Sequence, residues 1–284
     1  MNRSLARVAS TAAAVAALAL AGCAADTTAD DTTADEASSG GYVNEGTLTI
    51  GTGEPAYYPW AIDDDPSSGE GFEAAVAYAV ADELGFGVDD VEWVRTTFDE
   101  AIAPGPKSFD INLQQFSITP ERAENVDFSS PYYTTSQVVV TTGDSPAADA
   151  TSIADLEDLL IGAQTGTTSF DAIERVIDPS QGAQAFNSND DAKLALENGQ
   201  VDAIVVDLPT AFYISGAELT DGVLVGQLPE IDGAEGDDFG LVLAKDSPLT
   251  DDVTAAVDAL REDGTLDALA AEWLGGEDEA PLLE

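Results

Sequence analysis

The chain has 284 residues, 44% of them hydrophobic, which is enough for two modest domains with cores of ordinary size. It carries 55 acidic against 9 basic residues, no His and one Cys, for a formal net charge of −46. That balance excludes nucleic acid as a partner, since phosphate contacts need Lys and Arg, and it excludes catalytic triads and metal clusters built on His or Cys; no cofactor or metal is expected.

The acids are spread through every segment, so they read as a solvated surface suited to a salty medium. Met1–Cys23 has Arg3 and Arg7, then the apolar run Val8–Ala21, then small residues. This is the form of a secretory signal peptide over residues 1–22, shorter than the roughly 20 apolar residues of a membrane span. Leu20-Ala21-Gly22-Cys23 matches the bacterial lipobox, and that resemblance implies cleavage before Cys23 and a lipid on its sulfur. An ordinary signal peptide with a buried Cys is the alternative. The mature protein is then exported and anchored to the outer face of the bacterial cytoplasmic membrane. Residues 23–45, rich in Asp, Thr, Ala, Ser and Gly, read as a flexible tether that cannot bury enough surface to order itself.

In the body, Thr47–Thr52 alternates as a strand, and the loop Gly53–Trp60 follows with two prolines and three aromatics. Ligands gather beyond the carboxyl ends of strands in open α/β sheets, so Tyr57 is the first choice for a ligand-facing aromatic there and Trp60 the second. Phe72–Leu84 is apolar at helical spacing and stops at Gly85, with Gly71-Phe72-Glu73 read as packing. Val91–Val94 is a short strand and Phe98–Ile102 begins a helix. Phe109–Leu113 alternates like a half-buried strand. Thr119 and Pro120 then signal a helix start, which puts Arg122 in the first turn, where the helix dipole opposes a cation. Either the site is meant for an anion, or Arg122 pairs with Glu121, Glu124 or Asp127 on the surface.

Gln137–Thr142 is a strand, Ser152 caps a helix through Leu160, and Ile161–Ala163 is a strand. Gly166-Thr167-Thr168-Ser169 leads into a helix over Phe170–Ile177, either as an anion-receptive turn or as ordinary capping. A helix over Asp191–Asn198 and a nearly continuous apolar strand over Val201–Asp207 follow. Asp207 is by itself a sufficient N-cap for the helix opened by Pro209. Phe239–Ala244 is another strand, Thr250–Glu262 and Thr265–Leu274 are helices, and the tail past Gly276 reads as frayed. Strands alternating with helices predict parallel sheets with right-handed crossovers.

The run Ser117-Ile118-Thr119-Pro120-Glu121-Arg122, followed by Val126-Asp127-Phe128-Ser129-Ser130-Pro131-Tyr132-Tyr133, resembles the most characteristic segment of the polar amino-acid substrate-binding proteins of ABC importers. The resemblance covers roughly residues 46–275. It implies the type II periplasmic-binding fold: an α/β protein of two lobes, each a mostly parallel sheet flanked by helices, joined by two crossing segments. Lobe 1 would take residues 46–135 and 239–276, lobe 2 residues 136–238, with 277–284 a tail. By the same resemblance Ser117 and Arg122 hold the α-carboxylate of an amino acid, Thr167 and Thr168 meet it from the opposite lobe, and Asp207 pairs with the α-amino group. Tyr57 and Phe98 sandwich the stem.

Gln114 and Gln115 replace small hydroxyl residues and either line the side-chain pocket or point into the sheet; Gln115 is taken as a site residue. With basic residues so scarce, a polar or cationic amino acid, or a related zwitterion, is the expected ligand. An ABC permease and the membrane, through the lipid on Cys23, are the expected partners of a monomer. Two rivals share the scaffold. One is a dehydratase of prephenate-like acids, for which Glu54 is the one catalytic candidate; the other is a ligand-sensing lipoprotein docking on a receptor.

Overall fold

The alternation of Leu48, Ile50 and Thr49 begins the first strand, and all five of its residues are buried. Residues 41–230, 236–275 and 280–284 are described by the computed structural model, within a unit spanning Ser38–Glu284. The expected signal peptide, Cys23, most of the expected tether, and residues 231–235 and 276–279 lie outside the described residues.

The strands in chain order are β1 (Leu48–Thr52), β2 (Val91–Arg95), β3 (Ile111–Asn112), β4 (Val126–Phe128), β5 (Tyr133–Thr135), β6 (Gln137–Thr142), β7 (Ile161–Gln164), β8 (Gln184–Phe186), β9 (Ala203–Asp207), β10 (Gly222–Gln227), β11 (Asp237–Phe239) and β12 (Val242–Ala244). They form two five-stranded sheets, ordered β2-β1-β3-β12-β4 and β10-β6-β9-β7-β8. The helices are α1 (Phe72–Glu83), α2 (Phe98–Ile102), α3 (Pro120–Ala123), α4 (Thr168–Ala172), α5 (Asn189–Glu197), α6 (Leu208–Tyr213), α7 (Thr250–Glu262) and α8 (Thr265–Trp273). Helices α1, α7 and α8 pack together over the first sheet, where Phe72, Val76, Val80, Val253 and Val257 join Leu48, Ile50 and Ile111 in one apolar core. The second sheet has its own cores, one around Ile161, Ile173 and Val205, the other around Val138, Ile204 and Val206.

The molecule is thus a two-lobed α/β protein, and β5 and β11 lie antiparallel, Tyr133 opposite Phe239, where the chain crosses from one lobe to the other and back. That crossing explains why the sheets are mixed. The strands built by local strand–helix–strand units are parallel (β1 with β2 and β3; β7 with β8 and β9). Those that enter from the other lobe are antiparallel: β12 to β3 and β4, β6 to β9 and β10.

Four local expectations change. The strand expected over Phe239–Ala244 is split, β11 ending at Phe239 and β12 starting at Val242 in another sheet. Phe109–Leu113 is buried on both faces, and only Ile111–Asn112 is strand. Its polar members are buried because each has a partner: Asp110 accepts the backbone N–H of Val43 and Thr49 at 2.7 Å, and Asn112 donates to the Thr96 hydroxyl at 2.9 Å. The helix expected after Ser152 is a single 3-10 turn, Ile153–Asp155, because Leu156 is drawn into the core and the chain turns there toward β7. Residues 280–284, expected to fray, lie along β10: the backbone N–H of Leu283 donates to Gln227 O at 2.9 Å, and the Leu283 side chain is buried. The approach is close enough to require Gly226, since a Cβ there would sit 2.5 Å from Pro281 O.

Candidate functional site

The loops and helix starts that follow β1, β3, β7 and β9 converge between the lobes on one cavity with an empty volume of about 500 Å³, its mouth included. Tyr57, Phe98, Gln115, Ser117, Arg122, Thr167, Thr168 and Asp207 all line it; Trp60 does not.

Arg122 reaches the cavity because Thr119 caps α3, its hydroxyl accepting the Arg122 backbone N–H at 3.2 Å, with Pro120 in the first turn. The side chain is 8% exposed. Its Nη1 donates to Ser117 O at 2.7 Å and its Nη2 to Gly166 O at 2.9 Å, the second across the lobes, and the guanidinium lies 5.2 Å above the Phe98 ring. No carboxylate is within ion-pair distance of it among the described residues. Of the surface partners considered, Asp127 instead pairs with Lys245, at 3.1 Å. Burial lowers the pKa of Arg122 from its ordinary value, with Asp237, Asp171 and Glu121 acting against that at longer range.

Ser117 and Thr168 meet across the lobes, their hydroxyl oxygens 3.1 Å apart. Thr167 caps α4: its Oγ1 accepts the Phe170 N–H at 3.2 Å and donates to Gln164 O at 2.7 Å, so its hydroxyl proton is committed to the turn. Of the two threonines, Thr168 keeps the freer hydroxyl. Phe98 stacks on Phe116 with centroids 4.7 Å apart, which fixes the wall beneath the guanidinium. Tyr57 donates its OH to Asp190 Oδ2 at 3.4 Å, tying the first-strand loop to α5 of the other lobe; burial and that carboxylate push its phenol well up.

Asp207 ends β9 and caps α6, accepting from Thr210 N at 3.1 Å and Thr210 Oγ1 at 2.9 Å. It is 8% exposed, with no cation in contact among the described residues. Burial pushes its carboxyl up to about 6 despite the Thr210 donors, and Asp237 adds a smaller push in the same direction. Trp60, the second-choice aromatic, belongs to the core rather than the cavity. It is 1% exposed, packed among Phe72, Tyr133 and Phe239, and its indole N–H donates to Thr210 Oγ1 at 3.0 Å. A large amphipathic ring buries its face once its N–H has an acceptor, and the hydroxyl that caps beside Asp207 supplies one.

Gln114 and Gln115 both line the cavity rather than point into the sheet. Gln114 Oε1 and Gln137 Oε1, in two residues that line the cavity, are buried with no hydrogen-bond partner among the described residues. Gln137, which the sequence reading passed over as part of a strand, sits opposite Asp207 in the β6–β9 register and donates to Asp237 Oδ2 at 2.5 Å. Gln164, Ser169, Asn189 and Phe239 complete the lining. Nothing in the pattern of a buried strand marks its first residue as cavity-facing; only the pairing with Asp207 does. Glu73 sits at a helix start whose sequence reads as packing. It is a fully buried carboxylate that accepts from Gln115 and Tyr132.

The arrangement presents, on one cavity, a buried guanidinium with unused N–H donors beside two hydroxyls, and a buried carboxylate without a counter-ion. It suits a small molecule that carries both charges.

Residues 48–276 match the family model described as bacterial extracellular solute-binding proteins, family 3. A probable histidine-binding protein of Campylobacter jejuni is 31% identical over 231 residues, 80% of this chain and 84% of its own length. Among solved structures, an ancestral amino acid-binding protein described as a precursor of cyclohexadienyl dehydratase superposes with a TM-score of 0.66 at 33% identity, over 81% of this chain and 95% of that one. The substrate-binding protein of an amino acid ABC transporter superposes with a TM-score of 0.65 at 28% identity, over 80% of this chain and 99% of that one.

Proposed function

The chain belongs to the bacterial extracellular solute-binding proteins, family 3, and from that premise we propose that it captures a free amino acid outside the cell and delivers it to an ABC importer. One observation carries the reading: Arg122 and Asp207 are both buried, both lack a counter-ion among the described residues, and both line the same cavity from opposite lobes. A buried charge left unpaired is costly, and a zwitterion relieves both costs at once. Its α-carboxylate takes the Arg122 donors and the Ser117 and Thr168 hydroxyls; its ammonium takes Asp207; Tyr57 and Phe98 keep water from its stem. A ligand that bridges the lobes binds the state in which they meet more tightly than the state in which they part, which is the differential affinity that makes the bound form recognisable to a permease.

One relative is named a probable histidine-binding protein and one solved structure an amino acid-binding protein, in keeping with an amino-acid ligand here; a polar or cationic one is our proposal. We further propose that Cys23 carries the lipid that holds the protein at the outer face of the membrane, and that residues 46–135 with 239–276, and 136–238, act as the two lobes. The dehydratase alternative gains nothing from the cavity, because Glu54 is exposed and is not among the lining residues.

A thermal-shift screen against the twenty amino acids tests the reading. A true ligand at 100 times its Kd adds ~2.7 kcal/mol of stability, and no shift with any of them overturns it. Cys23→Ser is expected to move the protein from the membrane fraction to the medium.

A further inference from the structure

Behind the charged cavity lies a second recess, lined among others by Thr52, Trp93 and Glu73, and the two share Tyr57, Gln114 and Gln115. Arg122 and Asp207 line only the first, so Tyr57 and the two glutamines stand between the charged cavity and the recess. Gln115 is held there against its own preference, at φ 51°, in the left-handed region that costs a non-glycine residue energy unless its surroundings over-determine it. Glu73 supplies the constraint. Its Oε1 accepts the Gln115 backbone N–H at 2.7 Å and also the Tyr132 hydroxyl, and its Oε2 accepts the Gln115 side-chain Nε2 at 2.5 Å.

Glu73 is itself placed by Gly71, whose φ of 104° opens α1 and whose missing Cβ, which would stand 2.7 Å from Trp60 O, lets the helix start against the Tyr57–Trp60 loop. An amide has one donor and one acceptor side. With one Nε2 N–H held by Glu73, the amide is fixed in orientation and its oxygen lies on the side away from that carboxylate.

We propose that Glu73 is a positioning residue which, by holding the Gln115 N–H and Nε2, turns the Gln115 amide oxygen toward the ligand, so that the cavity selects amino acids whose side chains end in a hydrogen-bond donor. The inference rests on the amino-acid-binding reading and goes past it in naming what reads the side chain. The unpartnered Gln114 Oε1 adds a second acceptor on the same wall. Two acceptors favour a guanidinium, ammonium or carboxamide N–H and disfavour a side chain that ends in a lone acceptor. Glu73 acts without touching the ligand, because it lines only the recess behind.

The test compares glutamine with methionine sulfoxide, a side chain of similar length that ends in an acceptor, by calorimetry on the full mature chain. The parent is expected to prefer glutamine at least tenfold. In Glu73→Gln the carboxamide at position 73 presents an N–H where Oε2 stood, the Gln115 amide turns over, and the preference falls below threefold. The exchange Glu73→Gln with Gln115→Glu restores an acceptor to the wall and with it the preference. An unchanged preference in Glu73→Gln overturns the role of Glu73 alone, whereas a parent chain that binds no amino acid overturns the binding reading on which it rests. The parent also gives a readout that needs no variant. The Gln115 side-chain NH₂, held by a buried carboxylate, is expected to appear in 15N NMR as a pair of resonances protected from exchange, and a solvent-like pair overturns the clamp.

Discussion

The two ends of the cavity bury opposite charges and solvate them by different means. At the Arg122 end the guanidinium is met by two backbone carbonyls, one from each lobe, and by an aromatic face, yet most of its N–H donors stay unused and it cannot shed its charge. At the Asp207 end the carboxylate is met by two donors from its own helix, all local, and it can neutralise itself: burial brings its carboxyl up to about 6. The guanidinium end is therefore a permanent anchor that also joins the lobes, while the carboxylate end responds to pH. On the proposed reading, a ligand ammonium is what would keep Asp207 ionised below about pH 6.

The largest expected effect breaks the permanent end. Arg122→Ala is expected to weaken amino-acid binding more than about 100-fold by calorimetry, since truncating one partner of a desolvated charge pair costs 2–5 kcal/mol or more. Arg122→Lys, which lacks the planar fork, is expected to recover only part of it. Next is Asp207→Asn, which keeps the helix cap but not the charge. Binding is expected to fall roughly 10- to 100-fold while thermal stability at pH 8 rises. The carboxyl moves from 3.8 to about 6 on folding, a burial cost on the order of 3 kcal/mol, and relieving it corresponds to roughly 5 °C or more. A lower melting temperature in Asp207→Asn would show that the carboxylate stabilises the fold and would erase the contrast.

The pH dependence sharpens the same point. The unfolded chain releases the Asp207 proton near 3.8, while the folded chain holds it up to about 6. Its contribution to stability is thus fully present below the lower value and lost as pH rises through the upper one. Glu73, raised from 4.5 to about 7 chiefly by burial, acts in the same direction over a slightly higher window. Melting temperature without ligand is expected to fall between about pH 4 and 7, whereas affinity is expected to fall as pH drops below about 6, by at most tenfold per pH unit. Asp207→Asn is expected to flatten the affinity profile.

Smaller still, Trp60→Phe removes the donor to Thr210, the hydroxyl that caps beside Asp207. It is expected to cost about 1 kcal/mol, or fivefold in affinity, with no change at the Arg122 end. Molar salt is expected to change affinity least, because buried charges are screened least. It should still raise the melting temperature of a chain with net charge −46.

Much of this was legible in the sequence wherever a single stretch of chain decides. Thr119-Pro120 placed Arg122 in a first turn, and α7 begins and ends at the predicted residues. The two-lobed α/β fold and most of the cavity lining followed from the segment Ser117–Tyr133 and the resemblance it carries. The sequence was silent where partners lie far apart. Trp60 reads as a ligand-facing loop aromatic until Thr210, 150 residues on, takes its N–H. Glu73 reads as packing at a helix start until Gln115 and Tyr132 arrive with their donors.

Local order, then, was settled by the sequence itself: which residues start helices, which runs are apolar enough to bury, and which side chains carry charge into a strand–helix junction. The tertiary structure alone decided which of those charges end up without water or counter-ion and which amide faces which way. Desolvation and hydrogen-bond direction depend on what the other lobe brings to the same few ångströms, and no local pattern records that.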